Sequence, residues 1–406
     1  MPELTEQQLT DQVDLLTRGA EALYTESELR HRLAWAAREG RPLRVKLGMD
    51  PTSPDIHVGH VVQLRQIRKF QDLGHKAVLI IGDYTARIGD PSGVNKTRPV
   101  LSGEQIDANA ATYVAQLSRV LDPSPEKLEV RRNSEWLSQM SFEQVIRLCS
   151  QMTVARMMER DTFELRFKDG VPIGVHEFLY PFMQGYDSVC IHADVELGGS
   201  DQTFNNLVGR TLQENAGQKP QIVMIFPLMV GLDGVQKMSK SKGNYIGITD
   251  EPNDMFGKVM SIPDALMGNY FELGTELSRA EIAALVDPAQ THPRKAKAEL
   301  ARLIVSQYHG PASGAAALAE FDRVFSQGNV PTDMPEIPIP AGAIPLVDLI
   351  TLGQFADSRG EARRLIQQNA VSLDDVKISD IAATVTPATG QILRVGKRRF
   401  GKIVVQ

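Results

Sequence analysis

Cysteine is nearly absent from this 406-residue chain: Cys149 and Cys190 each stand alone, with no second Cys nearby. That argues against a disulfide framework and a structural zinc site, and both residues read as small core hydrophobes. Long apolar runs are missing as well. No stretch approaches about eighteen uninterrupted apolar residues, and residues 1–20 scatter Asp and Glu among apolar positions without a basic, apolar and cleavage-site series. A membrane span is therefore not expected, and a cytoplasmic location is. There is no internal repeat and no long low-complexity tract. What remains is ordinary globular material, 42% hydrophobic and 23% charged, enough for two domains and a small appendage.

A net charge of −6 argues against a polyanionic partner until its distribution is followed. From Ala341 onward nine Lys and Arg face six Asp and Glu, a net of +3, so the rest of the chain carries −9. The tail is the electropositive end, and a local basic face is sufficient for phosphate contacts.

Leu43–Met49 reads as a short strand and Ala77–Gly82 as a buried one, since its apolar run is continuous and rich in branched residues. Between them Val61, Leu64, Ile67 and Phe70 recur at helical spacing, with Gly74 at the stop. Strand, helix and strand in about 40 residues make a parallel crossover, which predicts a doubly wound, Rossmann-like α/β sheet. Ile222–Val230 reads as another strand, with Pro227 suggesting a bulge or an edge. Residues 100–200 are mostly helical in pattern, and Glu251–Gln327 is Ala- and Leu-rich with helical spacing. Pro331, Pro335, Pro338, Pro340 and Pro345 suggest a stiff linker. The expected division is thus 1–248, the sheet domain with its helical insertion; 249–329, a helical domain; 330–345, the linker; and 346–406, a small α+β module.

Two short motifs carry chemistry. His57-Val58-Gly59-His60 stands at the entry to the first helix, preceded by Asp50-Pro-Thr-Ser-Pro54. Unpaired N–H groups and the helix dipole favour phosphate there, and Gly59 permits close approach. The imidazoles can donate to phosphate oxygens or pack against a nucleoside; an isolated H-x-G-H is as readily a helix cap or core pair. No third and fourth ligand is in register for zinc. Gly231-Leu-Asp-Gly234, followed by Lys237-Met238-Ser239-Lys240-Ser241, forms a cationic loop after the last strand. Alone it is a solvated turn; in this place it reads as a clamp on pyrophosphate.

These motifs, in this order, resemble the HIGH and KMSKS signatures of class I aminoacyl-tRNA synthetases. Further segments sharpen the resemblance to the bacterial tyrosyl-tRNA synthetase family over nearly the whole chain. They are Gly82-Asp-Tyr-Thr-Ala-Arg-Ile-Gly-Asp-Pro-Ser-Gly93, Tyr180-Pro-Phe-Met-Gln-Gly-Tyr-Asp187, Gly198-Gly-Ser-Asp-Gln202 and the tail Asp357-Ser-Arg-Gly-Glu-Ala-Arg-Arg-Leu-Ile-Gln367. The resemblance implies activation of tyrosine with Mg2+-ATP, transfer to tRNA, no resident metal or organic cofactor, and a homodimer joined through the insertion. It implies that Asp90, Tyr180 and Gln184 hold the tyrosine ammonium, that Asp187 accepts from the phenol hydroxyl, and that Gln202 orients the amino acid. Asp201 would hold the ribose, with Gly48 and Gly199 giving close approach beside Asp50, Gly59 and His60. Thr52, His57, Arg98, Lys237, Lys240 and Ser241 would meet the triphosphate. Arg359, Arg363, Arg364, Lys397, Arg398, Arg399 and Lys402 would bind tRNA, with the helical residues 249–329 as a further tRNA-binding domain.

The chain departs from the family's better-known branch. Lys46 stands where that branch has a hydroxyl-reading tyrosine, Leu47 where it has a cysteine, and Val94 at a basic position, with Lys96 two residues on. Lys46 either pairs with Asp187 and keeps it ionised or points to solvent. A tryptophanyl-tRNA synthetase shares the scaffold, but an acid aimed into an indole pocket has no purpose. A small nucleotidyltransferase has no use for the basic tail, and a non-catalytic RNA binder derived from a synthetase would be expected to have lost the loop lysines.

Overall fold

The computed structural model describes residues 3–51, 56–91, 102–325, 334–396 and 399–406. The chain forms two compact units, Met1–Gly314 and Ala315–Gln406.

The first unit is built on six strands: β1 Ala22–Tyr24, β2 Arg44–Met49, β3 Lys76–Ile81, β4 Leu128–Arg132, β5 Val195–Gly199 and β6 Ile222–Phe226. Their order is β1-β6-β5-β2-β3-β4. β2 to β6 run parallel and β1 pairs antiparallel with β6. The chain steps outward through β2, β3 and β4, then returns to lay β5 on the other side of β2. Winding reverses between β2 and β5, so the loops beyond their carboxyl ends diverge and leave a crevice. This is the doubly wound α/β fold.

Ala77–Ile81 and all of β5 and β6 are buried, as strands covered on both faces must be. Pro227 marks neither bulge nor edge. β6 lies between β5 and β1, and the proline, lacking an N–H, simply follows the end of the ladder. β4 falls inside the stretch expected to be mostly helical; its sequence Leu-Glu-Val-Arg-Arg is that of a sheet margin, only partly buried.

Helix α1, Val58–Asp72, buries Val61, Leu64, Ile67 and Phe70. α2, Leu179–Cys190, crosses α3, Thr203–Asn215, at two glycines. A Cβ on Gly185 would lie 3.1 Å from the Gly209 nitrogen, so the backbones meet without intervening side chains. That close crossing fixes the face of α2 turned to the crevice. The helices between Pro252 and His309 belong to the same compact unit as the sheet; Tyr270, for example, donates to the Val230 carbonyl at 2.6 Å. The compact unit that holds the sheet runs to Gly314.

The second unit holds a five-stranded sheet, β10-β9-β12-β13-β7, and a two-stranded one, β11-β8. The strands are β7 Glu336–Ile339, β8 Ile344–Pro345, β9 Val371–Leu373, β10 Val376–Lys377, β11 Thr384–Val385, β12 Ile392–Val395 and β13 Arg399–Val405. With α4 Leu346–Leu352 and α5 Arg359–Gln367 they enclose a core that includes Ile339, Leu346, Ile350, Ile366, Leu393 and Ile403. Residues read as a proline linker are thus partly strand. Ile337 and Ile339 point into the core, while Pro338 is tolerated because β7 is the edge strand. No helix among the described residues is long and apolar enough to cross a membrane.

Candidate active site

The loops beyond β2, β3, β5 and β6 bound one cleft of about 820 Å³. Into it project Gly48, Asp50, His57, Gly59, His60, Asp90, Tyr180, Gln184, Asp187, Gly199, Asp201, Gln202, Lys237, Lys240 and Ser241. Sequence motifs separated by up to about 190 residues converge because each follows a strand end or lies on a helix facing the crevice. Thr52 and Arg98, with Val94 and Lys96, lie outside the described residues.

One end of the cleft is deep and polar. Tyr180, Gln184 and Asp187 occupy one face of α2, at spacings of four and three. Asp187 is 3% exposed and accepts from Trp136 Nε1 at 2.8 Å and Asn133 Nδ2 at 3.4 Å. Burial pushes its carboxyl up to about 7, opposed by the Lys46 charge and by these two donors. Tyr180 donates its hydroxyl to Asp50 Oδ2 at 2.9 Å, and Thr85 donates to the other oxygen at 2.7 Å. Burial, with Asp50 and Asp90 nearby, holds that phenol well above its usual range, so it remains a donor. Asp90 accepts from Gln202 Nε2 at 2.6 Å and from buried Arg160 at 3.1 Å. Gln184 donates to Asn206 at 2.8 Å and accepts from Asn205 at 3.0 Å.

Lys46 neither pairs directly with Asp187 nor points to solvent. It is fully buried and forms an ion pair with Glu196 at 2.9 Å. No local sequence motif marks Trp136, Asn133, Arg160, Asn205, Asn206 or Glu196. Glu196 alone leaves a trace, as a charge beside the apolar Val195 and Leu197 of β5.

The other end is cationic and more open. His57 caps α1, and its ring stacks on His60 with centroids 3.6 Å apart. A Cβ at Gly59 would sit 3.1 Å from His57 Nδ1, so a larger residue there would crowd the stacked ring. Burial is the main cause that lowers both imidazoles, His57 to about 2 with His60 and Lys237 adding to it, His60 to about 4 with Lys237. Both rings are therefore neutral at pH 7, so they can donate a hydrogen bond but supply no counter-charge. His60 Nδ1 accepts from the His57 N–H at 3.4 Å, which leaves its Nε2 as the protonated nitrogen.

The lysine loop is organised by buried Asn244. Its side chain accepts from the Ser239 N–H at 2.8 Å and donates to Asp233 at 2.6 Å and to the Lys237 carbonyl at 3.2 Å. Lys237 reaches Asp201 at 2.7 Å, and Lys240 lies 5.7 Å from the Tyr245 ring centroid. Gly48 has open space around it and Gly199 none: a Cβ there would come within 2.6 Å of Leu228.

In the second unit Arg363, Arg364, Arg399 and Lys402 are exposed. Arg359 is held by Asp348 in a two-pronged ion pair, at 2.7 and 2.6 Å, which sets an acid beside its charge. Lys397 and Arg398 lie outside the described residues.

Residues 38–326 match the family described as tRNA synthetases class I (W and Y), and residues 325–403 the tyrosine–tRNA ligase SYY-like C-terminal domain. The tyrosine–tRNA ligase of Moorella thermoacetica is 49% identical over 401 residues, 98% of this chain and 97% of its own. That of Bordetella avium is 51% identical over 389 residues, 95% and 94% respectively. Among solved structures, a truncated mitochondrial tyrosyl-tRNA synthetase from Aspergillus nidulans has a TM-score of 0.63 at 23% identity, covering 79% of this chain and 97% of that one. The L-tyrosine complex of the Archaeoglobus fulgidus synthetase has a TM-score of 0.60 at 23% identity, covering 76% and 99%. These two likenesses bear on the fold. The near-complete matches at about half identity, with both domain families in sequence, place the chain in the bacterial tyrosine–tRNA ligase family of class I synthetases.

Proposed function

We propose that this cleft carries both steps of tyrosine charging. In the first, the tyrosine carboxylate oxygen attacks the α-phosphorus of ATP; the bond to pyrophosphate breaks and tyrosyl-adenylate forms. In the second, a terminal hydroxyl of tRNA attacks the tyrosyl carbonyl and AMP leaves. ATP enters as its Mg2+ complex, the ion being part of the substrate. The nucleophile is already ionised, so no general base is required, and rate comes from positioning and from stabilising the departing charge. Asp187 takes the phenol hydroxyl, Asp90, Tyr180 and Gln184 the ammonium, and Gln202 holds Asp90. Asp201 takes the ribose once Lys237 leaves it. Lys237, Lys240, Ser241 and the neutral histidines donate to the triphosphate, with Thr52 and Arg98 assigned there by resemblance.

The observation that carries this reading is a single cleft with a buried acid at one end and a lysine loop with stacked histidines at the other. Pyrophosphate exchange across a panel of amino acids is the test. Tyrosine alone should drive it strongly, and exchange driven equally by tryptophan or by none would refute it.

For tRNA, the exposed Arg363, Arg364, Arg399 and Lys402 are the assigned phosphate contacts, with Lys397 and Arg398; Arg359 contributes little while Asp348 holds it. A homodimer is supported by the insertion: of eleven large hydrophobic side chains left exposed among the described residues, seven lie between Val130 and Val175, Phe142 and Phe167 among them. A monomeric mass in light scattering would refute the dimer.

A further inference from the structure

Lys46 and Glu196 are direct partners across β2 and β5, at the seam where the winding of the sheet reverses. They are 0% and 1% exposed. The ammonium has an acceptor for each of its three N–H groups: Glu196 Oε1 at 2.9 Å, Ser188 Oγ at 2.7 Å and the Gln184 carbonyl at 2.8 Å. Glu196 Oε2 accepts from Ser188 Oγ at 3.2 Å and from Gln221 Nε2. Neither side chain forms the cleft wall, which at this place is Leu47, Gly48, Gln184 and Asp187.

A buried ion pair generally stabilises a fold no better than two well-packed apolar residues. What apolar residues could not do here is grip α2. Ser188 follows Asp187 directly, and the Gln184 carbonyl lies one turn before it, so the pair fixes both the rotation of the helix and its depth. We propose that the Lys46–Glu196 pair is a positioning element for amino-acid specificity, holding α2 so that Asp187 and Gln184 meet the substrate. This rests on the reading of Asp187 as the acceptor of the phenol hydroxyl.

The groups facing Asp187 are Trp136 and Asn133 from beyond β4, Lys46 from β2, Glu196 from β5, and Tyr180 and Cys190 from its own helix. Lys46 is the one cation among them; Glu196 acts in the opposite sense. The two members of the pair therefore leave opposite signatures.

The test measures KM for tyrosine and the tyrosine-to-phenylalanine ratio of kcat/KM against pH, in the full chain. In Lys46→Met/Glu196→Gln, checked for folding by circular dichroism, tyrosine KM should rise and the ratio fall, each roughly tenfold. The pH below which tyrosine KM climbs should move up by about one unit, and KM for ATP should hold. In Glu196→Gln alone that pH should move down. A folded double variant with unchanged ratio and unchanged pH dependence would overturn the proposal. If the double variant fails to fold, the direction of the Glu196→Gln shift decides, and no downward shift overturns it. Asp187→Ala separates the two readings: a ratio insensitive to that change removes the pocket assignment itself, whereas a collapse there without an effect of the pair removes only this inference.

Discussion

At the amino-acid end of the cleft Asp187 and Tyr180 are 3% and 6% exposed, and both are tied to neighbours on other strands and helices. At the nucleotide end Ser241 is exposed, Lys237 and Lys240 are half-buried, and the lysines belong to a loop organised chiefly by its own Asn244. The first arrangement suits recognition of a fixed shape, where donors and acceptors are set before the ligand arrives. The second suits a charge that moves: under the proposed assignment the ion pair between Lys237 and Asp201 opens when ribose and phosphates enter. Selection and rate are thus assigned to opposite ends, and substitutions at each should alter different kinetic constants.

The largest effect should come from the deep end. Asp187→Ala removes the proposed acceptor that phenylalanine would leave unpaired, and tyrosyl-tRNA synthetase is itself the standard illustration of this rule. The tyrosine-to-phenylalanine ratio of kcat/KM should fall by roughly 10^3, with Asp187→Asn in between. A ratio near that of the parent protein in a folded Ala variant would mean that another group reads the hydroxyl.

At the other end, Lys240→Ala should lower the single-turnover rate of activation about a hundredfold, close to 3 kcal/mol, while tyrosine KM changes little. In the proposed mechanism its charge matters most as pyrophosphate departs. Collapse of tyrosine affinity with the rate preserved would merge the two ends and break the comparison.

The pH dependence should divide in the same way. Asp187 holds its proton to about 7, so tyrosine KM should climb as pH falls below that value, by up to about tenfold per unit. His57 and His60, lowered to about 2 and about 4, stay neutral over this range, and ATP KM should show no matching limb. For stability the sign reverses. The folded carboxyl is raised above 3.8, so its contribution is present below that value and is lost as pH rises through about 7. Asp187→Asn should therefore gain on the parent protein in denaturant midpoint from pH 4 to pH 8. An equal difference at both values would show that Asp187 does not titrate in that window.

The two ends also differed in how far they could be read from sequence. The cationic end was legible because its residues are contiguous: His57 to His60 and Lys237 to Ser241 are local motifs next to strand ends. At the deep end the stripe Tyr180, Gln184 and Asp187 is legible because it repeats along one helix, whereas Asp90 and Gln202 are legible only through the family resemblance. Its partners come from elsewhere. Trp136 lies 51 residues before Asp187, and Glu196 meets Lys46 only once the strand order is known. β4 stayed hidden because a half-exposed margin strand has charged residues where a central one is apolar. β7 stayed hidden because prolines, which normally break strands, are harmless at an edge. Sequence period reports local burial; which strand lies beside which is a property of the whole sheet.

The smallest effect should fall on one of those unseen residues. Trp136 Nε1 donates to Asp187 Oδ1 at 2.8 Å and favours the carboxylate form. Phenylalanine in its place keeps most of the apolar ring but has no N–H. Trp136→Phe should therefore leave the chain folded and its ATP KM unchanged. The tyrosine-to-phenylalanine ratio should fall about fivefold, near 1 kcal/mol, and the acid rise in tyrosine KM should begin at higher pH. Both changes must occur together if the indole acts through Asp187. A fall in the ratio with no movement of the pH limb would instead mean that the ring shapes the pocket by packing, and that Asn133 with Lys46 suffices to hold the acid.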